Sequence, residues 1–194
     1  FAFFQVFQPR GGGKRQAPTF DVVAPGVAKH EEEIVLAPGA DPKSDPCLAL
    51  RAAVAAAEFG LPIAPGTLQN LKSCPIDDRT WNDESRSLFL RLLASGPALL
   101  QVWEEIDFVD IPGRLIPEWL AIRNRPSTSA AHRYTIDRHS VEVVTRLGRE
   151  TPRGNRYDDR HYQALLLAGI LHDIGKRPWV ADHAAEGARH ASTV

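Results

Sequence analysis

The chain of 194 residues has no methionine and only two cysteines. Without a methionine it does not open at an initiation codon, so a piece of a longer protein is expected. Cys47 and Cys74 stand far from any ligand-like spacing and read as buried or idle thiols of a reducing, cytoplasmic compartment. No apolar run is long enough to span a bilayer, so no membrane partner is expected. No secretory signal opens the chain, since Phe1-Ala2-Phe3-Phe4 is short and lacks a basic start. The formal net charge of −1 leaves no global basic field, which argues against nucleic acid as a partner. Gly11-Gly12-Gly13-Lys14-Arg15 lacks the spacing of a phosphate-binding P-loop.

What is present is ordinary globular material. Apolar residues make up 43% and charged residues 24%, enough for one domain or two small ones. Residues 20–24 and 34–37 are β-like runs rich in Val and Ile, with Pro25-Gly26 and Glu31-Glu32-Glu33 between them, the pattern of a small hairpin. From Asp45 the pattern turns helical. Asp45-Pro46 offers an N-cap and a first-turn proline to an alanine-rich helix running to Glu58, with Gly60 as its stop. Further helices are expected over 65–71, 83–94, 97–108 and 116–122, with Gly96 as a break. Residues 123–131 and 148–157 are polar connectors. Three helices follow, over 134–147, 158–172 and 182 to about 192. The second of these is apolar nearly all round in its later half, which predicts deep burial. The class is mainly α: a helical bundle with a small β-like hairpin near the N-terminus.

The most telling stretch is Ile170-Leu171-His172-Asp173-Ile174-Gly175-Lys176. An apolar run from Ala164 drives straight into a His-Asp pair, and such groups are costly to bury unless something satisfies them. Neutral imidazole and carboxylate are ligands of divalent metals. His139 lies three residues after Ile136 and four before Val143, on the apolar face of its helix. Alone it would read as a core histidine with a backbone partner. It is not alone, because His183 follows the pair after one short loop. His139, His172, Asp173 and His183 can therefore meet from three consecutive helices around one cation. Adjacent helical residues point about 100° apart, but at a helix end the last one can turn away, so both members of the pair can reach one ion.

Mixed nitrogen and oxygen donors favour Mn, Fe, Zn or Co and leave Mg open, and such an ion suggests hydrolysis. Lys176 is placed to hold a phosphate oxygen or to offset transition-state charge, or else to compensate the helix dipole. His30, His161 and His190 read as ordinary surface residues, and His132 as a surface residue or a substrate contact.

His139 followed by His172-Asp173 resembles the H…HD opening of the HD phosphohydrolase superfamily. Ala131-His132-Arg133-Tyr134-Thr135-Ile136-Asp137-Arg138-His139 and Leu171-His172-Asp173-Ile174-Gly175-Lys176 are similar to the HD domain of the bifunctional PII-protein uridylyltransferase/uridylyl-removing enzymes. Leu115-Ile116-Pro117-Glu118-Trp119 and the Arg123-Asn124-Arg125-Pro126 connector resemble that family's stretch before the HD domain. Residues 20–37, followed by Gly39-Ala40-Asp41-Pro42, resemble its central region. The resemblance thus covers most of the chain from about Phe20.

It implies an HD-type helical metal site and a divalent cation, Mn or Mg first and then Fe, Co or Zn. It implies hydrolysis of a nucleotide, UMP or AMP, from a tyrosine of the nitrogen-signalling PII protein. Asp173 would be ligand and proton acceptor, and Lys176 would steady the phosphate; these two are the expected catalytic residues. It also implies a division into 1–40, the tail of a preceding module; 41–131, a helical central domain; and 132–194, the truncated N-terminal part of an HD domain. The family's glycine-serine and paired-aspartate transferase motifs are not visible, so transfer activity is not expected here. No residue up to Val194 takes the place of the superfamily's last aspartate ligand, Asp182 being too near the loop, so an incomplete metal site is expected. Two other readings compete: an HD hydrolase of free nucleotides, served by Arg146, Arg149 and Arg153, and a non-catalytic helical docking module.

Overall fold

The computed structural model describes residues 19–76, 81–127, 133–150 and 160–192. His132, Arg153 and the glycine-rich 11–13 lie outside the described residues, as does the side chain of Arg149.

The β region is a small three-stranded antiparallel sheet, in keeping with the expected hairpin and with one strand more between the two β-like runs. Its order is β1 (Asp21–Ala24), β2 (Val27–His30), β3 (Glu33–Leu36). Pro25-Gly26 and Glu31-Glu32 are its two turns, with Gly26 at φ 75° and Glu31 at φ 53°. The central strand was hidden in the sequence because it is only four residues long and half polar. Its Val27 and Ala28 are buried, while Lys29 reaches across to Asp21 at 3.1 Å. The sheet packs on α1 (Leu48–Phe59), and Ile34 also bonds to the segment after that helix, donating its N–H to Pro62 O at 2.8 Å.

Helix α1 starts two residues later than the capping pattern suggests. Asp45 still serves it, accepting the Cys47 N–H at 3.0 Å, and Gly60 closes it in the left-handed region. Then come α2 (Pro65–Leu71), α3 (Asp83–Leu93) and α4 (Pro97–Phe108). Asn82 caps α3 by accepting the Ser85 N–H at 2.9 Å. Leu99, Val102, Trp103 and Ile106 give α4 a buried stripe at three- and four-residue spacing. A short α5 (Ile111–Leu115) was not expected from Pro112-Gly113, and residues 117–121 form a 3-10 turn instead of an α-helix. Trp119 from that turn is buried edge-on to Trp103, with ring centroids 5.2 Å apart.

Helix α6 (Ile136–Glu150) packs on α4 and on α7 (Arg160–Leu171), and α8 (His183–Ala191) follows. Asp182 caps α8 through the Ala184 and Ala185 N–H groups. One hydrophobic cluster runs from Val27 in the sheet to Ile174 beyond α7, so the mainly α architecture closes around a continuous core. Both cysteines are free and buried in it, and burial pushes the Cys74 thiol up to about 11. Among the described residues no helix is long and apolar enough to cross a membrane.

Helix α7 departs from the expected deep burial. Leu166, Gly169, Ile170 and Leu171 are buried, but Ala164, Leu165 and Ala168 are exposed. The helix packs mainly on α6 and only lightly on α3. Its other side borders an apolar hollow of about 670 Å³ that it shares with Phe89, Leu90 and Ala188.

Candidate metal centre

Helices α6 and α7 approach closely because Gly169 faces the partner. A Cβ there would lie 2.9 Å from Leu147 Cδ1 and 3.0 Å from Val144 Cγ2. This approach carries His139, in the first turns of α6, to the end of α7, where the chain turns at His172 and Asp173. The two imidazole rings lie 5.3 Å apart at 73°. One donor atom from each of His139, His172 and Asp173 lies within 4.8 Å of the other two. Ligands of one such ion stand at most about 4.2 Å apart, so small side-chain rotations close the group around a cation.

The chemistry of the donors fits that use. His172 Nδ1 lies 2.9 Å from Gly169 O, and a carbonyl only accepts, so Nδ1 carries a proton. In the neutral ring this leaves the Nε2 lone pair for a ligand, the arrangement a backbone carbonyl imposes on metal-binding histidines. Nε2 sits 3.3 Å from Asp173 Oδ2. Between those two atoms a proton or a cation serves the same purpose, and the bond to Asp173 accordingly raises the pKa of His172. Burial alone would push Asp173 up, but bonds from His172 and Lys176 outweigh it and hold the carboxyl well below the usual carboxylate range. Asp173 is therefore an anion at neutral pH. Its side chain is 8% exposed and that of His172 37%, so the group is anchored inside yet open to solvent on one side.

Lys176 donates to Asp173 Oδ2 at 2.8 Å, which ties it to the donor group as well as to the helix end. His183 stands apart from that group. The loop does return to the site, but it brings backbone: Gly175 packs so tightly on His183 O and on Gly187 that no Cβ fits between them. The imidazole of His183 is exposed and lines a neighbouring groove. Asp182 is occupied in capping α8.

His190 corrects the surface assignment. It is buried, 2.7 Å from Glu186 Oε1 and 3.7 Å from Glu118 Oε1, and it ties α8 to the 3-10 turn. The i, i+4 spacing of Glu186 and His190 was the signal available for it. His30 stacks beside Phe20, 5.1 Å between centroids, and His161 is exposed.

No family model matches the chain, and no solved structure matches it. Curated relatives do. One from Streptomyces coelicolor is 40% identical over 179 residues, 92% of this chain and 21% of the relative. One from Mycobacterium tuberculosis strain H37Rv is 40% identical over 164 residues, 84% of this chain and 20% of the relative. One from Corynebacterium glutamicum is 36% identical over 133 residues, 69% of this chain and 18% of the relative. All three are named bifunctional uridylyltransferase/uridylyl-removing enzyme. The chain matches a partial region of these bifunctional enzymes. It spans about a fifth of their length. With 92% of the chain inside the first match, the residues of the donor group fall within it wherever its ends lie. The resemblance of the sequence motifs to bifunctional uridylyltransferase/uridylyl-removing enzymes thus holds across sheet, bundle and donor group alike.

Proposed function

We propose that this chain carries the metal-binding side of a uridylyl-removing site. The activity is hydrolysis of the phosphodiester that joins UMP, or AMP, to a tyrosine of a PII signalling protein. The convergence of His139, His172 and Asp173 carries this reading. When bound, a divalent cation such as Mn or Mg supplies Lewis acidity and makes a nucleophile available at neutral pH. His139 and His172 would hold it through ring nitrogens and Asp173 through its carboxylate. The Gly169 carbonyl fixes the His172 tautomer that leaves Nε2 free to ligate. Lys176 places a positive charge 2.8 Å from Asp173, where a non-bridging phosphate oxygen would arrive. The names of the relatives, which join uridylyl transfer to uridylyl removal, support the same reading.

The test measures bound metal and the release of UMP or AMP from nucleotidylated PII with Mn and with Mg. It compares the parent with His172→Ala, on this chain and on the chain extended to the length of its relatives. Release that depends on His172 is expected. Equal release by both proteins, or hydrolysis of free nucleotides in place of modified PII, overturns the proposal.

A further inference from the structure

Beside the donor group lies a second hollow, of about 470 Å³, between the connector at Arg125 and the loop joining α7 to α8. Arg125, Lys176 and Arg177 line it together with Ser127, Trp179 and His183, and among the described residues no carboxylate does. Lys176 belongs to both places, since its ammonium also touches Asp173. Arg123, two residues before Arg125, is held by Asp107 at 3.0 Å and Asp110 at 3.7 Å. Arg125 forms no such ion pair among the described residues. Among the described residues the Arg177 side chain reaches only backbone carbonyls, Ile174 O at 3.4 Å and Glu118 O at 3.5 Å.

Trp179 is the odd member of this wall. Its side chain stands wholly in solvent, and its backbone is in the left-handed region at φ 65°. A bulky residue adopts that conformation at a cost, and an indole in water adds to it. By contrast, Trp103 and Trp119 are buried against each other, and Trp81 is edge-on to Phe89. A bare aromatic plane beside three cations suits a ligand that joins a flat ring to a phosphate.

We propose that this hollow seats the nucleotide half of the phosphodiester, with its base stacked on Trp179 and its phosphate drawn to Arg125, Lys176 and Arg177. The inference rests on the uridylyl-removing reading of the donor group. A phosphate held by Lys176 lies next to Asp173 without leaving the hollow. Stacking uses the face of a base and not its edge, so uracil and adenine are both accepted. Trp179 is a binding and positioning residue for the substrate.

The test follows the indole N–H signals of the four tryptophans by NMR in the whole chain, with Trp179→Phe identifying one of them. UMP and AMP are expected to shift the Trp179 signal and to leave those of Trp103 and Trp119 in place. Ribose 5-phosphate, which lacks a base, is expected to bind about tenfold more weakly. Phenyl phosphate, whose ring joins the phosphate directly with no ribose between, is expected to shift Trp179 less than UMP does. Arg125→Gln is expected to weaken UMP binding several-fold and to flatten its dependence on salt. A shift by phenyl phosphate and none by UMP overturns the assignment of the base. No shift by any nucleotide, with His172-dependent UMP release intact, overturns the seat and leaves the function standing. Nucleotide binding at Trp179 without His172-dependent release does the reverse.

Discussion

Helices α1 and α7 are both twelve residues long and largely apolar, and the fold treats them differently. α1 is covered by the sheet, α3 and α4, and Leu48 through Leu50 and Ala52 through Ala56 are all buried. α7 is covered mainly by α6, and its Ala164, Leu165 and Ala168 face solvent. The difference lies in the neighbours, not in the helices. A sealed helix secures the core. A helix left open on one side can end in a His-Asp pair that is anchored from within and approached from without.

The sharpest way to break this contrast is in the sealed half. Leu50→Ala, at 1% exposure, is expected to cost about 2–5 kcal/mol in urea unfolding. A cost under about 1 kcal/mol would mean that α1 is not the secured element described. In the open half the largest effect falls on metal, not on stability. His139→Ala or Asp173→Asn is expected to weaken Mn binding, measured by calorimetry, by more than the roughly 10–100-fold seen for changes to outer hydrogen-bond partners. Undiminished binding in both variants would remove the donor group.

Gly175→Ala tests the joint between α8 and the loop after α7. With no room for a Cβ against α8, it is expected to cost about 1–3 kcal/mol and to weaken metal binding as well.

The proton equilibria sharpen the picture further. His172 is expected to titrate above about 6.5 in the metal-free protein, and to return toward that value in Asp173→Asn, as read by NMR of the ring. The signs follow from the directions of the shifts. The raised His172 pKa contributes stability that is complete below about 6.5 and is lost as pH rises through the folded value. The depressed Asp173 pKa contributes stability that is complete above about 3.9 and is lost as pH falls through its folded value. Metal competes with the His172 proton, so its affinity is expected to drop as pH falls through the raised value. The smallest effect is that of Leu165→Ala, which is 48% exposed and expected to stay within about 0.5 kcal/mol of the parent.

Much of this was legible in the residues. Spacing put His139 on the inner face of its helix, and the apolar run from Ala164 to Leu171 aimed His172-Asp173 at it. The stop at Gly60 acts locally, and short-range rules find it. What escaped depends on contacts across the fold. β2 is a strand because two neighbours pair with it, not because Val27-Ala28-Lys29-His30 favours one strongly. His190 is buried because Glu118, far away in sequence, faces it. His183 looked like a ligand because it lies near the pair along the chain. Its imidazole lies exposed, outside the group of His139, His172 and Asp173, and no spacing rule reports that.

That glycine contact has a mechanical consequence. Where Gly175 meets Gly187, main chain presses on main chain with no side chain to cushion the two. α8 and the loop bearing Asp173 therefore move as one piece. A tilt of the last helix would press directly on the loop that carries the carboxylate.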